Sequence, residues 1–119
     1  GVSAAGAFTI DIVKSMANDP IVFALANPVP EILPDVAAEA GVAVLATGRS
    51  DFPNQVNNAL CYPGLFRGML DTGIKRVTDE IKLRAAYAIA AAVPLPTADK
   101  IIPSIFDEGL HELVAQSVL

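Results

Sequence analysis

An α/β fold built on a parallel βαβ unit is what this 119-residue sequence predicts, and three observations carry that prediction. The runs Ile21-Val22-Phe23-Ala24-Leu25-Ala26 and Val42-Ala43-Val44-Leu45-Ala46-Thr47 show no polar alternation, which is how a strand buried on both faces reads. Between them, Pro34 suits a first helical position and Gly41 a C-terminal cap, so residues 34–40 form a short helix. Two such strands joined by a helix require a crossover connection, hence a parallel, right-handed pairing with helices over the faces.

The other elements follow in order. Thr9 can cap a helix whose apolar positions Ile10, Val13 and Met16 or Ala17 recur at helical spacing, with Asp11 in its first turn and Asn18-Asp19-Pro20 ending it. After the second strand the polar stretch from Arg49 to Asn58 is a loop, and Pro63 opens a helix carrying Leu65, Phe66, Met69 and Leu70. Thr78 caps a long helix through about Val93, apolar almost throughout from Ala85 and therefore expected to be buried on more than one side. Pro94, Pro96 and Pro103 mark an extended connector before a last helix from about Asp107 to Val118, so the expected division is 1–93 and 94–119.

Composition narrows the partners. With 53% hydrophobic residues the chain can build a core, and its net charge of −5 repels phosphate backbones, so no nucleic acid is expected. No run is long enough to span a bilayer, no signal segment is recognisable, and the single Cys61 allows no internal disulfide; a cytoplasmic setting without membrane contact is expected. The opening Gly1-Val2-Ser3-Ala4-Ala5-Gly6 has no initiator Met and reads as the interior of a longer polypeptide.

In an open parallel sheet, ligands bind beyond the carboxyl ends of the strands. Two loops lie there. In Ala26-Asn27-Pro28-Val29-Pro30-Glu31 a stiff, proline-flanked segment presents an amide that donates and accepts, suited to a hydroxyl, carboxylate or carboxamide; equally, Asn27 satisfies local backbone. The second loop concentrates Asn54, Gln55, Asn57 and Asn58, which bind an anion through N–H donors or else serve as Asx turns and helix caps. Arg49, His111, Cys61 and the acid pairs Asp79-Glu80 and Asp107-Glu108 fit structural roles better than chemical ones. No metal-ligand spacing occurs, and the opening glycines do not form the dinucleotide fingerprint.

Three segments in register, Phe23 to Glu31, Ala46 to Asn58 and Tyr62-Pro63-Gly64-Leu65-Phe66-Arg67-Gly68, closely resemble the C-terminal part of the NAD(P)-binding domain of malic enzymes of the compact prokaryotic type. The likeness extends over the opening Gly-Val-Ser loop and Ile101-Ile102-Pro103, and so over essentially the whole chain. It implies a partial Rossmann-like sheet with flanking and C-terminal helices, and oxidative decarboxylation of malate to pyruvate and CO2 with reduction of NAD or NADP and a divalent Mg or Mn ion. It further implies that Asn27 lies at the malate and nicotinamide site, that Asn57 and Asn58 bring an amide to the malate carboxylate, and that Ser3 passes near the nicotinamide ribose.

The departures limit what the segment does alone. The family's catalytic Tyr and Lys, its acidic metal ligands and its glycine-rich phosphate loop have no match here: Tyr62 and Tyr87 do not correspond to the catalytic Tyr, and no acid from Asp51 to Asp107 corresponds to a metal ligand. Without a Lewis acid or an acid–base couple the isolated polypeptide is expected to be inactive, with no catalytic residue of its own, and to work joined to the enzyme's N-terminal portion in a homo-oligomer. A noncatalytic assembly module, motivated by the apolar 85–93 stretch, and a piece of an amino-acid or folate dehydrogenase are the alternatives.

Overall fold

The structure, a computed structural model, describes all of residues 1–119 and resolves into two compact units, Gly1–Val56 with Thr97–Lys100, and Asn57–Pro96 with Ile101–Leu119. No helix is long and apolar enough to cross a membrane.

In the first unit, helix α1 (Ile10–Lys14) starts where the Thr9 hydroxyl accepts from the Ile12 N–H at 3.3 Å. It stops short of the expected Asn18-Asp19-Pro20 signal. Ser15 donates its hydroxyl to the Ile12 carbonyl at 2.7 Å, and its N–H serves both the Asp11 and Ile12 carbonyls, so the last turn is tightened and closed there. Strand β1 (Ile21–Ala24), helix α2 (Pro34–Ala40) and strand β2 (Val44–Thr47) form the expected βαβ unit, the strands parallel in register from Ile21 opposite Val44 to Ala24 opposite Thr47. Gly41 closes α2 with a left-handed φ of 88°.

Both strands are shorter than their apolar runs because neighbouring backbone groups bond elsewhere. The Leu25 N–H goes to the Gly1 carbonyl at 2.9 Å and the Ala26 N–H to the Glu31 side chain at 2.9 Å, while Ala43 and Val44 both donate to the Pro20 carbonyl. The double-faced burial expected for β1 is found on one face. Val22 and Ala24 pack with Val13, Ile32, Ala37 and Ala40, whereas Ile21 and Phe23 on the opposite face stay exposed. Both helices of the unit seat on the same cluster, which leaves the alternate side chains of β1 without cover.

One charged group sits inside this unit. The Glu31 carboxylate is fully buried; its Oε2 accepts from the Ser3 N–H at 2.8 Å and the Ser3 hydroxyl at 3.0 Å, and its Oε1 from the Ala26 N–H. Burial pushes its carboxyl up, but these backbone donors, its own N–H and the Ser3 hydroxyl outweigh that and hold it at about 2.

In the second unit a single 3-10 turn (Asn58–Leu60) precedes helix α3 (Tyr62–Thr72), and helix α4 (Asp79–Ala91) starts at Thr78, whose hydroxyl accepts from the Ile81 N–H. Asp79 and Glu80 occupy its first turn and pair with Lys82 and Arg84. Burial of α4 is narrower than its composition suggests: Ile81 and Ala85 face the core, while Leu83 and Tyr87 are 58% and 73% exposed. Helix α5 (Leu110–Ser117) begins later than expected, because the Asp107 carboxylate accepts from the Ser104 N–H at 3.0 Å and Gly109 turns with φ 78°. The core joins Leu60, Leu65, Ile81, Ala85, Leu110, Val114 and Val118.

Helices α3 and α5 touch through glycine. A Cβ on Gly64 would stand 2.4 Å from the His111 carbonyl oxygen, and one on Gly68 2.4 Å from that of Ala115. These contacts are with backbone, which cannot rotate away. Gly64→Ala and Gly68→Ala are therefore expected to destabilise by about 1–3 kcal/mol through overpacking, outweighing the ~1 kcal/mol that Ala gains as a helix former. A lowered urea midpoint checks this; an unchanged or raised midpoint would contradict the close helix contact.

A second expectation concerns acid. The folded value of Glu31 lies below its ordinary 4.5, so the stability it contributes is present above about 4.5 and is lost as pH falls toward about 2. The stability gap between the native chain and Glu31→Gln should shrink through that window. A gap independent of pH would show that the carboxylate charge plays no part in stability.

Candidate functional site

The parallel pair delivers two residues to its carboxyl end, Asn27 after β1 and Gly48 after β2. The Asn27 carboxamide lies over Gly48, where a Cβ would stand 3.1 Å from Oδ1 and 3.4 Å from Nδ2. Asn27 is exposed and its amide forms no hydrogen bond within the chain, so its Nδ2 donors and Oδ1 acceptor are all open to a ligand. The Asn27–Pro28 peptide bond is cis.

The backbone around Asn27 is held from two directions. On one side, Glu31 receives the Ala26 N–H. On the other, Arg49 donates from Nη1 to the Pro28 carbonyl at 2.9 Å, and its guanidinium lies 5.3 Å from the Phe52 ring centre. Arg49 also grips Asp51 through two bonds of 2.8 Å. The hydrogen bond, and then the charge, of Asp51 raise the guanidinium above its ordinary value, while the same bond lowers Asp51. Arg49 is thus a brace of the Asn27 loop with its planar fork already engaged. Ser3 is exposed, and its hydroxyl proton is directed at Glu31.

The amides of the following loop divide by role. Asn54 is buried with φ 56° and ties the Leu45 and Ala98 carbonyls together through Nδ2 at 3.0 and 2.8 Å, a purely structural use. Gln55 forms a backbone bridge to Thr47. In the second unit, the Asn57 Oδ1 caps the 3-10 turn by accepting from the Ala59 N–H at 2.9 Å, which leaves its Nδ2 unengaged; the exposed Asn58 side chain has no partner at all. His111 lies on α5 and Cys61 next to the second core, where burial raises its thiol. No group of three or more His, Cys, Asp or Glu side chains converges to hold a metal ion.

Sequence reasoning placed Glu31 at the end of the Asn-Pro loop but gave it no role. An acid between Pro30 and Ile32 carries no motif; the one available hint is that a charge adjoins an apolar pair, Ile32-Leu33, at a strand-end loop.

Comparison with known proteins shows similarity over nearly the whole chain. The family described as malic enzyme, NAD binding domain, matches residues 1–115. The chain is 53% identical over 120 residues to the bifunctional malic/malolactic enzyme of Bacillus subtilis (strain 168), with 99% of this chain and 29% of that protein covered. It is likewise 53% identical over 121 residues to the NAD-dependent malic enzyme of Geobacillus stearothermophilus, covering all of this chain and 25% of the relative. Among solved structures, the NAD-dependent malic enzyme of Thermotoga maritima superposes with a TM-score of 0.93 at 44% identity over 99% of this chain and 31% of that one. The chain thus spans between a quarter and a third of the length of these proteins, and it belongs to the malic enzyme NAD-binding domain family.

Proposed function

We propose that this chain forms the ligand-facing edge of the NAD(P)-binding domain in a larger cytoplasmic malic enzyme, which converts malate to pyruvate and CO2 while reducing NAD or NADP. The observation that carries this is the unpaired Asn27 carboxamide, braced on both sides and set over Gly48 at the carboxyl end of a parallel pair, in a chain of this family. The missing Cβ of Gly48 lets the Asn27 carboxamide itself lie close against the β2 loop, since a Cβ there would stand 3.1 Å from its Oδ1.

The chemistry asked of these residues is binding and orientation. The Asn27 Nδ2 donates to a carboxylate or carbonyl oxygen while its Oδ1 accepts from a hydroxyl or carboxamide, so one side chain registers substrate and nicotinamide together. By the family resemblance, Asn57 and Asn58 are N–H donors for a malate carboxylate, and Ser3 is a partner of the cofactor. The dinucleotide, when bound, supplies the acceptor for the hydride leaving malate. The side chains of this chain do not fit a divalent metal, and none forms an acid–base couple, so those functions fall to the rest of a larger, oligomeric enzyme.

Natural-length protein given malate, Mn and NAD or NADP should reduce the dinucleotide, whereas the 119-residue chain alone should not. Asn27→Ala and Asn58→Ala should each lower kcat/KM for malate by about 10- to 100-fold, the range expected when a hydrogen bond to a charged group is removed. Steady-state kinetics with varied malate decides this; turnover by the isolated chain, or wild-type constants in both variants, would refute the proposal.

A further inference from the structure

A buried ion with no counter-ion needs a reason. Moving a carboxylate out of water is costly, and an apolar residue of similar size would fill the same space without that cost. Glu31 is fully buried and takes part in none of the ion pairs of the structure. Its side-chain bonds go to Ser3 and Ala26, and its carbonyl accepts from the Phe8 N–H at 3.1 Å; none of these partners lies in a helix or strand of the unit. The charge therefore contributes to the placement of two loops, one bearing Ser3 and one bearing Asn27.

We infer that Glu31 is a positioning residue that holds the Ser3 loop and the Asn27 loop in one fixed arrangement through its two carboxylate oxygens. This rests on the functional reading above and adds to it a requirement for the ionised acid. Because Oε2 takes the Ser3 hydroxyl proton, Ser3 Oγ presents lone pairs outward and selects a ligand group that donates, such as a ribose hydroxyl of a dinucleotide. Because Oε1 takes the Ala26 N–H, the peptide leading into Asn27 is pinned one residue before the amide that meets substrate. A glutamine cannot substitute: whichever end its NH2 occupies, it faces an N–H donor, that of Ser3 or that of Ala26. Gly1 belongs to the same device, since a Cβ there would stand 2.4 Å from Oε2.

The test is steady-state kinetics of natural-length Glu31→Gln with malate and NAD(P) varied separately, well below its unfolding midpoint. The KM values for malate and dinucleotide are expected to rise together, and kcat/KM for malate to fall at least tenfold, while the exposed Glu39→Gln matches wild type. Should Glu31→Gln fail to fold, Gly1→Ala keeps the acid but crowds Oε2, and it should shift the same constants in the same direction. A folded variant with a lower melting temperature but wild-type KM and kcat values would overturn the inference and leave Glu31 a stabilising residue only. Absence of malate-dependent turnover in the wild-type protein would instead overturn the functional reading, and this inference with it.

Discussion

The loops at the carboxyl end of the parallel pair are tied together by a carboxylate held by neutral donors. Glu31 retains its charge inside the first unit because the Ser3 N–H, the Ser3 hydroxyl and the Ala26 N–H replace the water it gave up. Such an arrangement is directional in a way that an apolar contact is not: moving either loop breaks a bond to an ion rather than sliding one methyl group past another. Arg49 supplies the complementary hold by donating to the Pro28 carbonyl from the β2 side. Asn27 sits between an anchored N–H and an anchored carbonyl, and its own side chain is left unpaired. Preorganisation of this kind lowers the ordering cost when a ligand arrives.

Arg49 and Glu31 also show why charged side chains near a site need not touch a ligand. Arg49 takes the structural role that the sequence favours, and it does so as a brace. Its fork is taken up by Asp51 and Pro28, and its face lies near Phe52. A guanidinium already satisfied in this way offers little to an incoming anion, so the free neutral amides are left as the groups able to respond to one.

The fold was legible in the sequence wherever local rules act alone. Pro34 and Gly41 bound α2 at the predicted residues, Thr9 and Thr78 cap the helices they precede, and the parallel pair follows from two unalternated apolar runs. What escaped sequence reasoning depends on distant partners. The strand ends are set by Gly1, Pro20 and Glu31, and the start of α5 by the Asp107–Ser104 bond. Apolar pattern also records a residue's preference for burial without naming what buries it, which is why Ile21, Leu83 and Tyr87 are exposed here. In the amide cluster, residue type was visible but assignment was not: Asn54 and Asn57 bond to backbone, while Asn58 does not, and only geometry separates them.

The electrostatic setting also constrains which residue can occupy position 27. A lysine or arginine there would follow directly on Ala26, whose N–H bonds the buried Glu31 carboxylate, and would be drawn toward that charge. An aspartate would add a second negative charge to a loop that already holds one, and would repel any dicarboxylate approaching it. A neutral amide avoids both outcomes. It can donate to an anion and accept from a hydroxyl or carboxamide without adding charge. A neutral side chain at position 27 is thus compatible with the carboxylate buried behind its loop.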